Sequence, residues 1–166
     1  MTKRNLRGLV GVLGFMAVSG TAMASGLTST QSISTAAALE LAEKTVAACR
    51  ADGYNVTAAV VDRAGVLLTL VRADGAGPHT ADAANAKAFT SASSRNPTSG
   101  IAKAVQSNPD AAGMTQIPGF LVLAGGVPIK VGDNTIGGIG VAGAPGGHLD
   151  EACAQKALAG IQSKLK

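Results

Sequence analysis

The chain has two histidines, His79 and His148, and each stands in a Gly- or Pro-flanked loop just ahead of a segment with helical spacing. A loop end is a poor address for a core residue. An imidazole there can move a proton near neutral pH or ligate haem iron or another transition metal. Both histidines are therefore candidate metal ligands, and His79 is also a candidate general acid or base. Other polar residues and glycines stand at element ends: Arg72, Asp74 and Gly75, then Gly125 and Gly126, then Gly147, Asp150 and Glu151, with Lys87 inside a helical segment. Arg72 or Lys87 would hold a carboxylate, Lys87 beside His79 would complete a catalytic pair, and backbone N–H groups beginning at Gly147 would stabilise an anion. The plainer alternatives are a surface Arg72–Asp74 pair, a solvated Lys87, and acidic residues at 150 and 151 that only complement a helix pole.

Several signatures are missing from the sequence: a P-loop, a G-x-S-x-G elbow, C-x-x-C, H-E-x-x-H, and a dinucleotide fingerprint between a strand and a helix. Gly137-Gly138-Ile139-Gly140 lies within a strand-like run, where glycine most often permits close packing or a bulge.

The elements that must position these residues follow from apolar period and turn chemistry. Residues 25–34 are rich in Ser and Thr without apolar period and read as a flexible lead-in. Ser34 or Thr35 caps a helix with Leu39, Ala42, Val46 and Cys49 on its buried face, ended by Gly53. Residues 56–61 and 66–71 form a hairpin about Asp62-Arg63-Ala64-Gly65. Helices are expected over about 81–91, from Asn96-Pro97-Thr98 to about 107, and from about 149 towards 165. Between the last two, residues 120–124, 127–131 and 135–141 read as three strands of a meander. The resulting fold class is α/β (α+β), a single antiparallel five-stranded sheet flanked by helices.

Residues 1–24 read as a secretory signal: Lys3, Arg4 and Arg7, the apolar run 9–18, then Ala22-Met23-Ala24 for cleavage. The apolar run is about half the ~20 residues of a membrane span, so no stable membrane insertion is expected after cleavage. The folded part is then the domain 35–166, periplasmic or secreted. The signal holds three of the 14 basic residues and none of the 10 acidic ones, so the basic balance largely leaves with it. No basic stripe interleaved with aromatics remains, which argues against nucleic acid. The remaining aromatics are Tyr54, Phe89 and Phe120, so the core is built from small and β-branched side chains, and oligomerisation would supplement it. Cys49 and Cys153 are either a disulfide in an oxidising compartment or two buried thiols.

Five segments, in order, resemble the GlcG/HbpS-like family, a haem-binding or haem-degrading domain family that includes the PduO C-terminal-like domains. They are residues 58–68 with their Asp62-Arg63-Ala64-Gly65 turn, Arg72-Ala73-Asp74-Gly75-Ala76, Ala86-Lys87-Ala88-Phe89-Thr90, Gly125-Gly126-Val127-Pro128, and Gly146-Gly147-His148-Leu149-Asp150-Glu151-Ala152-Cys153-Ala154. The resemblance implies a profilin- or PAS-like domain, homo-oligomers up to octamers, and first and last helices side by side, bringing Cys49 near Cys153. It also implies a pocket bounded by the Asp74-Gly75-Ala76 loop, Lys87, Gly125-Gly126 and the segment from Gly146 to Glu151. The Glu-x-x-Glu iron site of the haem-sensor branch has no match near the second helix, where Asp82, Asn85 and Lys87 stand. On this resemblance the first expectation is an exported haem-binding protein, for haem handling or oxidative-stress response. His79 or His148 would be the axial ligand, and Arg72 or Lys87 would meet a propionate. The second is an enzyme on a small oxygenated or aromatic acid, and the third a non-catalytic accessory oligomer.

Overall fold

Helix α1, Thr35–Ala51, begins where Ser34 caps it, the Ser34 hydroxyl accepting from the Ala37 N–H. In this computed structural model, which describes residues 26–165, α1 buries Ala38, Leu41, Ala42, Thr45, Val46 and Cys49. That series keeps the three-and-four spacing of one helix face. Leu39 was expected on this face and is 44% exposed. It lies about 100° around the helix from Ala38, outside the stripe that Ala38 and Leu41 complete. The expected signal segment, residues 1–24, lies outside the described residues. Ile33, within the expected lead-in, is buried in the core, and its N–H donates to the Ile136 carbonyl.

Strands β1 (Thr57–Asp62) and β2 (Leu67–Arg72) form the expected hairpin. Asp62 closes the turn by accepting from the Val66 N–H at 2.9 Å, and Gly65 takes φ +83°. Helix α2 is Thr80–Ser94, α3 is Thr98–Ser107, and 3-10 turns cover Pro109–Gln116. Strands β3 (Gly126–Val131) and β4 (Asn134–Ala142) form a second hairpin, and α4, Gly147–Ile161, follows.

The sheet has four antiparallel strands in the order β2-β1-β4-β3, which corrects the expected five. Residues 120–124 are not a strand, because their backbone groups bond elsewhere. The Phe120 N–H donates to Ile117 O, Leu121 N–H to the Thr90 hydroxyl, and Leu123 N–H to Leu121 O. Phe120 packs edge-on against Phe89 of α2, ring centres 6.1 Å apart. A short apolar run fits a buried loop as well as a strand, and here side-chain packing on α2 decides it. The expected three-strand meander is also replaced, since β4 pairs with both β3 and β1. Pro128 is accommodated because β3 is an edge strand.

Helices α1 and α4 cover one sheet face, where Val60, Ile129, Ile139 and Val141 meet Leu41, Val46, Ala154 and Ile161. The Cys49–Cys153 disulfide joins these two helices with a Cα separation of 5.4 Å, as their expected proximity requires. On the other face, α2 lays its stripe Ala84, Ala88 and Ala92 against Ala59, Val61 and Ala142. Glycine makes that approach possible. A Cβ at Gly140 would lie 2.0 Å from Ala84 O, and one at Gly138 would lie 2.5 Å from Ala88 O. This is the close-packing role expected of the Gly137–Gly140 run.

Two stability measurements follow. Cys49→Ser should lower unfolding free energy by about 2–5 kcal/mol, because the bond closes a loop of 104 residues; an unchanged urea midpoint would contradict it. Gly140→Ala should cost about 3 kcal/mol through overpacking. Gly160→Ala, in open space on α4, should instead stabilise by about 0.5–1 kcal/mol in the same urea series.

Candidate functional site

Lys87 sits within the stripe that α2 turns towards the sheet, one residue before Ala88, and is 2% exposed. An ammonium there must find acceptors. Its Nζ donates to the Val141 carbonyl at 2.8 Å and to Asp150 Oδ2 at 2.9 Å. Asp150, also buried, stands in the first turn of α4, and its Oδ1 accepts from the Ala144 N–H at 2.9 Å. One carboxylate thus joins α2, the loop after β4 and the positive pole of α4. Burial pushes the Asp150 carboxyl above its ordinary range, while the Ala144 N–H and the Lys87 ammonium pull it back.

The lock is covered by glycines. A Cβ at Gly125, where φ is +123°, would come 2.8 Å from Lys87 Nζ and 2.7 Å from Val141 O; one at Gly147 would come 2.5 Å from Ala124 O. Gly126 lies against Lys87 O, and its N–H donates to the Thr98 hydroxyl. Glu151 accepts from the Ser99 hydroxyl at 2.8 Å and from the Gly125 N–H at 3.4 Å. Lys87, Gly125, Gly126, Gly147 and Glu151 are therefore brought together. Asp150, Thr98 and Ser99 complete the group; Asp150 stood among the polar residues at element ends, though not as the partner of Lys87, and Thr98 and Ser99 were not singled out in the sequence. The signal for Asp150 was present: a lysine in phase with Ala84 and Ala88 is buried and needs a carboxylate.

Arg72, Asp74 and Gly75 lie elsewhere. Arg72 donates from Nη2 to Ala76 O, which folds the loop back on β2, and Gly75 turns it with φ +79°. Arg72 and Asp74 face α1 across a groove of about 560 Å³, whose other walls are Glu43, Val46, Ala47, Arg50, Ala51, Val71 and Ala73. Its lining combines apolar side chains with two arginines, Arg50 and Arg72, and two carboxylates, Glu43 and Asp74. The pocket expected as one is thus divided into a sealed ion pair and an open groove on the opposite sheet face.

His79 and His148 are both exposed. His79 immediately precedes α2 with no side-chain capping bond, and its ring folds over Gly77, where a Cβ would lie 2.8 Å from Cε1. His148 is in the first turn of α4 and lies in the same way over Gly146. The register puts Arg72, the start of α2 and the end of β4 at one end of the sheet: Thr57 pairs with Arg72 and with Ala142, and its hydroxyl bonds that of Thr80. Among the described residues no three His, Cys, Asp or Glu side chains gather as a metal site.

Asp150→Ala should destabilise the protein by about 3–5 kcal/mol, because it strands a buried ammonium, and Lys87→Met/Asp150→Leu together should cost much less in a double-mutant cycle. Because the native carboxyl holds its proton more tightly than the unfolded one, Asp150 adds stability below its ordinary value of 3.8. That contribution is lost as pH rises through the raised native value. Urea unfolding of the parent minus Asp150→Asn across pH 3–8 should show the decline; a difference that rises with pH would refute it.

A family model described as haem degrading protein HbpS-like matches residues 33–159. The crystal structure of an HbpS double mutant from Streptomyces reticuli is 42% identical, covering 87% of this chain and 98% of its own, with TM-score 0.78. The structure of Klebsiella pneumoniae protein ORFY is 27% identical, covering 85% and 98%, with TM-score 0.80. A PduOC:haem complex shares the fold at 22% identity and TM-score 0.70, covering 78% and 95%. No curated protein matches the chain.

Proposed function

The chain belongs to the haem-degrading HbpS-like family, and from that premise we propose that it is an exported, self-associating haem-binding protein whose haem lies in the groove between α1 and the Arg72–Asp74 loop. The observation that carries this reading is the groove's chemistry. Val46, Ala47, Ala51, Val71 and Ala73 give an apolar lining, and Arg50 and Arg72 supply two guanidiniums on walls that also carry Glu43 and Asp74. That donor set fits a planar apolar molecule with two carboxylates, since a guanidinium fork matches a carboxylate in shape and charge. Bound haem would supply an iron for which an imidazole nitrogen is a fitting ligand. His79, on the loop that continues from Asp74, has an exposed ring to offer. Lys87 serves instead in the lock behind the sheet, because its ammonium is already bonded to Asp150 and Val141.

Export is supported by the sequence of residues 1–24 and by the Cys49–Cys153 bond, which persists in an oxidising compartment. Self-association is supported by the edge strand β2, where Leu67 and Leu70 are exposed beside Val66. No helix of the described residues is long and apolar enough to cross a membrane.

Haemin titrated into the mature protein should shift the Soret band to a defined stoichiometry. Arg50→Ala and Arg72→Ala should each weaken binding about threefold to tenfold, and His79→Ala should change the ligand-field spectrum. Full haemin affinity in the Arg50→Ala/Arg72→Ala double variant would exclude the groove. Light scattering should give a multiple of the chain mass at micromolar concentration; one chain mass would refute self-association.

A further inference from the structure

The end of β1, the start of β4 and the last turn of α2 meet at the end of the sheet remote from Val141 and the Lys87 lock. They enclose a hollow of about 130 Å³ lined by Arg63, Ala92, Ser93, Arg95 and Thr135. We propose that this hollow binds a small tetrahedral oxyanion, a phosphate or sulfate group, between the Arg63 and Arg95 guanidiniums.

Three observations converge on it. Neither arginine has a carboxylate partner among the ion pairs of the described residues. Arg63 spends one N–H on the Thr135 carbonyl at 2.6 Å, which fixes its guanidinium beside β4 and leaves four N–H groups. The neighbouring Asp62 carboxylate accepts from the Val66 N–H and does not line the hollow. Second, Thr135 is 5% exposed, and its Oγ1 is the one buried side-chain polar atom among the described residues without a hydrogen-bond partner. Buried hydroxyls are normally satisfied, and an oxyanion in this hollow is an acceptor of the required kind. Third, Arg95 is the only non-glycine described residue with positive φ, 60°, at a helix end where glycine is usual.

The sign of the potential follows from magnitudes. The C-terminal pole of α2 contributes about −0.5 charge, against two full positive charges on the arginines. An adjoining hollow of about 240 Å³ shares Arg63 and is lined by Ser29, Thr30, Gln31 and Asn134. Its neutral polar walls would take a hydroxylated remainder if the oxyanion is carried on a larger molecule.

Calorimetry and thermal shift with inorganic phosphate, at ionic strength held constant with sodium chloride, test the site on the mature protein. The parent should bind phosphate and melt higher in it. Arg95→Gly suits the left-handed backbone and should fold while losing tenfold or more in phosphate affinity. Thr135→Val should also weaken binding, yet without phosphate it should melt no lower than the parent, because the lost hydroxyl has no partner. Haemin affinity should be unchanged in Arg95→Gly, which separates this site from the groove. Tighter binding of glycerol phosphate than of inorganic phosphate would identify an oxyanion carried on a larger molecule, and equal binding a free one; either ranking supports the site. Equal phosphate affinity in the parent and Arg95→Gly, or no binding by the parent at millimolar phosphate, would overturn it.

Discussion

The close approach of α2 to β3 and β4 is the constraint from which the rest of this structure follows. Gly126, Gly138 and Gly140 leave no room for a side chain between sheet and helix backbone. Small side chains, Ala84, Ala88, Ser91 and Ala92, fill the helix stripe opposite them, and Lys87, in the same stripe, is cut off from water. Its charge must be met inside, by Val141 O and Asp150. Asp150 in turn holds Ala144, so the end of β4, the following loop and the first turn of α4 are positioned by one carboxylate. Such a pair gains little net free energy after desolvation. It ties α2, α4 and the connecting loop to one another through the Lys87–Asp150, Lys87–Val141 and Asp150–Ala144 bonds.

The two faces of the sheet are stabilised by different physics. On the α1–α4 side, Leu41, Ile129, Ile139 and Ile161 bury apolar area in the ordinary way, and the disulfide shortens the unfolded ensemble. On the α2 side the side chains are small, and contact is made backbone to backbone. The groove on the first face therefore has a rigid wall in α1, while its other wall is a loop held by Arg72 and turned at Gly75.

Much of the architecture was legible in residue pattern. Ser34 as a cap, the Asp62-to-Gly65 turn, the Asn96-Pro97-Thr98 helix start and the glycine run in β4 are local devices whose chemistry depends on near neighbours. Residues 120–124 were not legible, because an apolar pentapeptide carries no mark of whether a strand or the Phe89 ring will cover it. Lys87, Gly125, Gly126, Gly147 and Glu151 were legible as a group. Their division from Arg72, Asp74 and Gly75 was not, since the two sets lie on opposite sides of one sheet and sequence order does not record the side.

By itself the sequence determined the Ser34 cap, the Asp62-to-Gly65 turn, the close-packing glycine run of β4 and the family. Each is set by residue types a few positions apart. Only the tertiary structure decided that β4 lies between β1 and β3, that Cys49 meets Cys153, and that Asp150 rather than solvent receives Lys87. The β1–β4, Lys87–Asp150 and Cys49–Cys153 contacts join residues from 63 to 104 positions apart, and contacts at that separation depend on how whole elements pack, which no local pattern encodes.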